Sequence, residues 1–230
     1  MIRKLGNATA EERAVLSRGT SGEPIYHMVV HSLRRHGIVG GTICDVGCGA
    51  GNLHYYLASD FQHYIGVDVV RYDRFPADAQ FVKANLDQPL ADSLLEVADV
   101  VVAVETIEHL ENPRHFMRTL YQMAKPNGWV VVTTPNQLSL LSKLTLLTRN
   151  EFNAFRASNY PAHLTALLEV DLRRMARETR LTDVDVAYSR RSRIALTQHH
   201  WPHLISHWMP RAFSDNVLLM GRKASHDFSE

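Results

Sequence analysis

The segment Ile43-Cys44-Asp45-Val46-Gly47-Cys48-Gly49-Ala50-Gly51-Asn52 constrains the fold more than any other stretch. Its apolar start reads as a short buried strand, its glycines as a turn and the residues after them as a helix, the order that sets a nucleotide-like ligand at the carboxyl edge of an open α/β sheet. Glycine lacks a Cβ, so it takes positive φ and lets a ligand approach the backbone. The dinucleotide fingerprint places glycines at its first, third and sixth positions. Here Gly47, Gly49 and Gly51 fall at one, three and five, with Asn52 sixth, which counts against a nicotinamide dinucleotide. Asp45 argues the same way, because a carboxylate beside two phosphates is repelled.

The rest of the chain alternates as a doubly wound fold requires. Gly22 to His36 carries Ile25, Met28, Val29 and Leu33 at helical spacing, an amphipathic helix ahead of the first strand. Its His27 and His31 share a face, and a partly buried helix surface is preferred there over a substrate or metal contact. Thr42 to Val46 is the first strand, and Leu53 to Ala58 the helix after the glycines. Tyr64-Ile65-Gly66-Val67-Asp68 is an apolar run ending on an acid, in the register where such folds place a ribose-binding carboxylate. Gln80 to Ala84 reads as a third strand with Asn85-Leu86-Asp87 at its end. Ala98 to Val104 is almost continuously apolar, as in a strand buried on both faces, and opens onto Glu105-Thr106-Ile107-Glu108-His109-Leu110-Glu111-Asn112-Pro113. Next come a helix over Pro113 to Ala124, a tight turn at Pro126-Asn127-Gly128 and a strand from Trp129 to Thr134. A helix from Leu168 to Glu178 precedes two strands, Leu181 to Val186 and Ser214 to Gly221.

An acid followed by G-x-G-x-G, together with Glu105-x-x-Glu108-His109-x-x-x-Pro113, resembles the class I S-adenosylmethionine (SAM) dependent methyltransferases, in particular the small-molecule and quinone-ring enzymes. SAM carries an ammonium and a sulfonium, so an acid at 45 suits it. The resemblance covers roughly residues 40 to 135. It implies one α/β domain over residues 1 to 230: a Rossmann-like seven-stranded methyltransferase sheet, mostly parallel with an antiparallel final hairpin, helices on both faces. For the cofactor SAM it implies Asp45 toward the methionine ammonium and Gly47, Cys48 and Gly49 at the backbone approach. Asp68 and Val69 fall to the ribose, Asn85 and Leu86 to the adenine, and Glu105 and Thr106 to the methionine end.

The implied activity is in-line methyl transfer to a small-molecule acceptor, and the Glu-His pair points to oxygen as the acceptor atom. His109 is the candidate base, with Glu108 or Glu105 orienting it or shaping the cofactor face; the competing reading has the Glu-His pair capping the next helix and pinning the strand end. No metal is assigned. Small-RNA ribose 2′-hydroxyl methyltransferases also carry E-x-x-E-H, with a further histidine completing a metal site, and His163 stands as that fourth ligand in the alternative reading. A non-catalytic SAM-binding module is the third.

Composition narrows these. With 25 basic and 24 acidic residues the net charge is +1, so no global field draws in nucleic acid and an RNA substrate is disfavoured. Cys44 and Cys48 both lie in the turn region and read as reduced, which fits a cytoplasmic protein. The start lacks a leader pattern, and no run approaches the ~20 apolar residues that span a bilayer. Residues 1 to 21 are polar, a frayed tail or lid. The leucines of residues 137 to 165 read as a substrate lid, with a homodimer contact or core completion as the duller choices. His199, His203 and His207 fall at helical spacing, but Pro202 interrupts and no acid or cysteine completes a zinc set, so they read as an aromatic and histidine wall or a surface.

Overall fold

The computed structural model describes residues 8–194, 197 and 199–225. Seven strands form one sheet: β1 (Thr42–Val46), β2 (His63–Asp68), β3 (Gln80–Lys83), β4 (Ala98–Ala103), β5 (Ala124–Pro135), β6 (Leu181–Tyr188) and β7 (Asn216–Lys223). Their order is β3-β2-β1-β4-β5-β7-β6, parallel from β3 to β5, with β7 antiparallel to both neighbours. The order reverses between β1 and β4, and in such sheets the ligand crevice lies at that switch point.

The long apolar run of β4 is explained by where its side chains go. Val100 and Val102 join one buried cluster, Val101 and Ala103 the other, because successive residues of a strand face opposite sides. The helices are α1 (Ala10–Ser17), α2 (Glu23–Arg35), α3 (Asn52–Leu57), α4 (Pro113–Met123), α5 (Leu140–Arg149), α6 (Glu169–Glu178) and α7 (His203–Trp208). Leu33 of α2 and Leu53 and Leu57 of α3 cover one face; Phe116 and Leu120 of α4 and Leu172 and Met175 of α6 cover the other. Phe116 is fully buried, and burial of such a ring is worth about 1.5–3 kcal/mol.

The structure adds detail at three places. Within residues 1 to 21 lies an ordered helix, α1, started by a capping box in which the Glu12 N–H donates to Thr9 Oγ1 (3.2 Å) and the Thr9 N–H to Glu12 Oε2 (2.8 Å). The turn at Pro126-Asn127-Gly128 is a bulge inside β5: pairing with β4 shifts register between Ala98 and Val100, and Asn127 takes φ +63°. In the 137–165 segment Ser139 caps α5, and the leucines divide, with Leu144 and Leu147 exposed while the buried residue of the helix is Ser142. Among the described residues no helix is long and apolar enough to cross a membrane.

Candidate cofactor and active site

The glycine turn is built for close approach. Gly47, Gly49 and Gly51 have φ of +78°, +52° and +75°, the region that disfavours any side chain. A Cβ on Gly47 would stand 2.3 Å from Thr106 Oγ1, and one on Gly49 would stand 2.3 Å from the Gly19 carbonyl oxygen. Asp68, at the end of β2, holds this bend: its two carboxylate oxygens accept the Gly49 N–H (2.8 Å) and the Val70 N–H (3.1 Å).

Over the turn lies a cavity of about 250 Å³ at the carboxyl edge of the sheet. Asp45, Gly47, Cys48 and Gly49 form its floor, and Asp68, Val69, Asn85 and Leu86 one side. Glu105, Thr106, Glu108 and His109 form the other. The structure thus brings every residue that the sequence reading assigned to the cofactor or to catalysis into one cavity. Helix α1, within the segment read as a frayed tail or lid, is the roof. Arg13, 5% exposed, pairs with Asp87 and reaches Glu111 at 3.4 Å, while the Tyr72 hydroxyl donates to the Ala14 carbonyl (2.8 Å). The signal that could have found α1 is Thr9-x-x-Glu12. Tyr26 of α2, unforeseen, lines the same cavity, its hydroxyl accepting the Ser21 N–H at 2.9 Å.

Asp45 is the most exacting group in the wall. It is 2% exposed; one carboxylate oxygen accepts the Tyr64 hydroxyl, and the other, Oδ1, has no partner. Burial pushes its pKa up to about 7, against the lowering effect of the Tyr64 bond and with a further rise from Asp68. A buried acceptor left without a donor costs ~1–3 kcal/mol, so the site favours a ligand that brings one. Across the cavity Asn85 Oδ1 accepts the Asp87 N–H (3.0 Å), which holds its carboxamide in a fixed orientation.

The segment after β4 is equally constrained. Glu105 takes φ +50°, a strained conformation costing about 1–3 kcal/mol, fixed by its N–H to Thr133 Oγ1 (2.9 Å). Its carboxylate accepts the Thr133 hydroxyl (3.0 Å) and the Asn216 side-chain amide (2.8 Å). Burial, then the charge of Glu108, hold its pKa well above the usual carboxylate range. Glu108 is fully buried; Oε2 accepts the Thr134 hydroxyl (3.1 Å), Oε1 has no partner, and burial pushes its pKa to about 8.

The expectation that a glutamate orients His109 is corrected. His109 Nδ1 lies 2.7 Å from the Ala162 carbonyl, which only accepts, so Nδ1 carries the hydrogen and Nε2 keeps its lone pair. Glu105 and Glu108 bond to β5 and β7 instead, because residues 107–109 form a single tight turn that points successive side chains apart. Nor does the pair cap the next helix: Asn112 does, its Oδ1 accepting the His115 N–H (3.0 Å). Burial lowers the His109 pKa, an effect opposed by the Ala162 and Glu105 carbonyls, so the ring is neutral near pH 7.

His163 packs edge-on against His109 with ring centroids 4.7 Å apart. Burial, then the charge of His109, push its pKa down to about 4, and its Nδ1 has no partner. The sequence assigns no metal, yet ligand atoms of Glu108, His109 and His163 lie within 4.8 Å of one another. His163 is where the 137–165 segment reaches the cavity. Pro202 does interrupt the spacing of His199, His203 and His207: α7 begins after it, so His199 lies outside the helix.

The sequence profile described as a methyltransferase domain matches residues 27–186. The chain belongs to this methyltransferase family. The match runs from α2 into β6, so it takes in the glycine turn, the β4 segment and His163 but not the roof helix α1. Curated relatives include the mitochondrial ubiquinone biosynthesis O-methyltransferase of Schizosaccharomyces pombe, 33% identical over 127 residues, covering 49% of this chain and 44% of the relative. The ubiquinone biosynthesis O-methyltransferase of Rickettsia canadensis is 34% identical over 102 residues, covering 42% and 43%. The matched stretch therefore spans less than half the length of these relatives. Solved structures share the class I SAM-dependent methyltransferase fold. A SAM-dependent methyltransferase from Archaeoglobus fulgidus has TM-score 0.61 at 18% identity, covering 86% of this chain and 94% of that one. The 1,6-didemethyltoxoflavin-N1-methyltransferase of Burkholderia thailandensis, crystallised with 1,6-didemethyltoxoflavin and S-adenosylhomocysteine, has TM-score 0.62 at 14% identity, covering 97% and 94%.

Proposed function

We propose that this methyltransferase moves a methyl group from SAM to an oxygen of a small-molecule acceptor. The observation that carries the reading is the single cavity in which an unpartnered Asp45 oxygen, a side-chain-free bend and His109 meet. SAM supplies there a methyl group activated by the neighbouring sulfonium. The residues fit such a ligand: Asp45 Oδ1 takes an ammonium in a charge-assisted hydrogen bond. Asp68 keeps a second lone pair on each oxygen for ribose hydroxyls, and Asn85 and Leu86 border the adenine. Cys48, Val69, Glu105 and Thr106 complete the wall.

His109 takes the acceptor's proton. Its Nδ1–H is tied to Ala162, so Nε2 is the accepting atom, and burial keeps the ring in its basic form. Alignment does the rest: holding acceptor and methyl donor in line is worth up to ~7–11 kcal/mol in favourable intramolecular cases. Oxygen as acceptor atom is supported by the names of the two ubiquinone biosynthesis relatives, and a phenol is the acceptor chosen to test it. The test is calorimetry with SAM, followed by mass spectrometry of catechol incubated with both. No binding of SAM refutes the whole reading, and binding without a methylated product refutes the acceptor.

A metal-assisted variant is favoured by one observation: Glu108 Oε1 and His163 Nδ1 are buried without partners beside His109. These residues would hold a divalent cation that lowers the pKa of an acceptor hydroxyl. Turnover abolished by a chelator and restored by magnesium or zinc, with SAM affinity unchanged, selects this variant; chelator-insensitive turnover selects the plain base.

A further inference from the structure

A second cavity, of about 540 Å³, shares helix α2 as a wall with the first: Ile25 and Tyr26 line one, His27 and Met28 the other. His31 and Arg35 continue its α2 side, and the end of β6 with the turn after it, Tyr188 to Arg191, forms the opposite side. His200 and Trp201 close it. In a chain of net charge +1 this is a local concentration of cations. Arg35 is matched by Asp185, which leaves Arg190 and Arg191 against one acid, Glu23. Among the described residues the Arg191 guanidinium has no hydrogen-bond or ion-pair partner, and Arg190 meets only the ring of His207, at 3.3 Å.

The turn that carries these arginines is fastened. Arg190 has φ +50°, and its N–H donates to the hydroxyl of fully buried Ser214 (2.8 Å). The fully buried Ser192 hydroxyl donates to Asp215 (2.7 Å), and the Arg191 carbonyl accepts the Asp215 N–H (3.2 Å). The Trp201 backbone N–H donates to the Ser192 carbonyl (3.0 Å), and its indole packs edge-on against Phe213. Two arginines on a fastened turn thus line this cavity, and guanidiniums are suited to forked recognition of an anion.

The sheet gives the spacing to the reactive segment. Tyr188 pairs with Val217, Val217 pairs with Thr134, and Thr134 bonds Glu108. Two strand spacings, about 10 Å, therefore separate the start of the cationic turn from the strand that anchors Glu108. We infer that this second cavity receives an anionic group, a carboxylate or phosphate, carried by the methyl acceptor. This rests on the methyl-transfer reading and names the substrate class: an acceptor with a hydroxyl at one end and an anion at the other.

The test uses the full chain and the Arg190→Gln/Arg191→Gln double variant. Inorganic phosphate and benzoate are titrated by calorimetry; methylation is then measured with catechol, with 3,4-dihydroxybenzoate and with a catechol bearing a phosphomonoester. The expected result is that the wild type binds one of the two anions at least about tenfold more tightly than the variant does. The acceptor bearing that anion is preferred over catechol by a similar factor, the variant loses the preference, and catechol turnover is unchanged. Equal anion binding by both proteins, or a preference that survives in the variant, overturns the inference. If no catechol is methylated but the anion affinity still falls in the variant, the oxygen-acceptor reading fails while the anion cavity stands.

Discussion

The cavity over the glycine turn is walled by buried groups whose polar atoms await partners, whereas the cavity beyond α2 is walled by exposed cations on a fastened turn. In the first, Asp45, Glu108 and His163 sit where water is scarce, so each charge interaction is strong and an ill-matched ligand is costly. In the second, solvent screens the arginines, and any one contact is worth little. The difference teaches where chemistry and choice reside: a dry, unforgiving site suits a single cofactor, and a wet, adjustable one suits discrimination among acceptors.

That contrast can be broken at several points. Largest should be His109→Ala, which is expected to cut kcat by about 10²–10⁴-fold while SAM affinity measured by calorimetry stays put. Unchanged turnover in a folded protein would remove His109 from the chemistry. Next is Gly49→Ala, where left-handed φ alone costs about 1–2 kcal/mol and the Gly19 carbonyl blocks the new methyl, so SAM should bind at least tenfold more weakly. An affinity equal to wild type would show that the bend is not the binding surface.

A pH series sharpens the comparison. The folded pKa of Asp45 is raised, so its contribution to the stability of the ligand-free protein is fully present below the unfolded value and lost as pH rises through about 7. SAM, needing the carboxylate, should show the opposite trend, its affinity growing up to about tenfold per pH unit below that pKa. Asp45→Asn should flatten both curves, as melting and calorimetry across about pH 5 to 8 would reveal. Smallest is Leu147→Ser on α5: at 81% exposure it should move stability by less than about 0.5 kcal/mol. A large drop in melting temperature would mean that the leucine is covered by something in solution.

Legibility in the sequence divides along the same line. Asp45, the glycines, Asp68 and the Glu105 to His109 run were legible because their positions follow from local backbone order: strand, bend, helix, next strand end. Asp68 stands in the expected place, but its bonds to Gly49 and Val70 could not be read from spacing. The Ala162 carbonyl that orients His109 lies 53 residues away along the chain, a pairing that no periodicity encodes. The same holds for Arg13 and Asp87, 74 apart. His27 and His31 looked like an ordinary helix face, since the turn at 190 and 191 that gives them an electrostatic setting arrives through the antiparallel end of the sheet.

The double duty of Asp68 has a practical result for anyone measuring it. Because one oxygen tethers Gly49, replacing the acid with alanine also slackens the bend, and the affinity lost will count two causes as one. Sugar-modified cofactor analogues, each missing a single hydroxyl, leave the protein untouched and so report the ribose share alone. The remainder, obtained by subtraction, is the worth of a rigid loop.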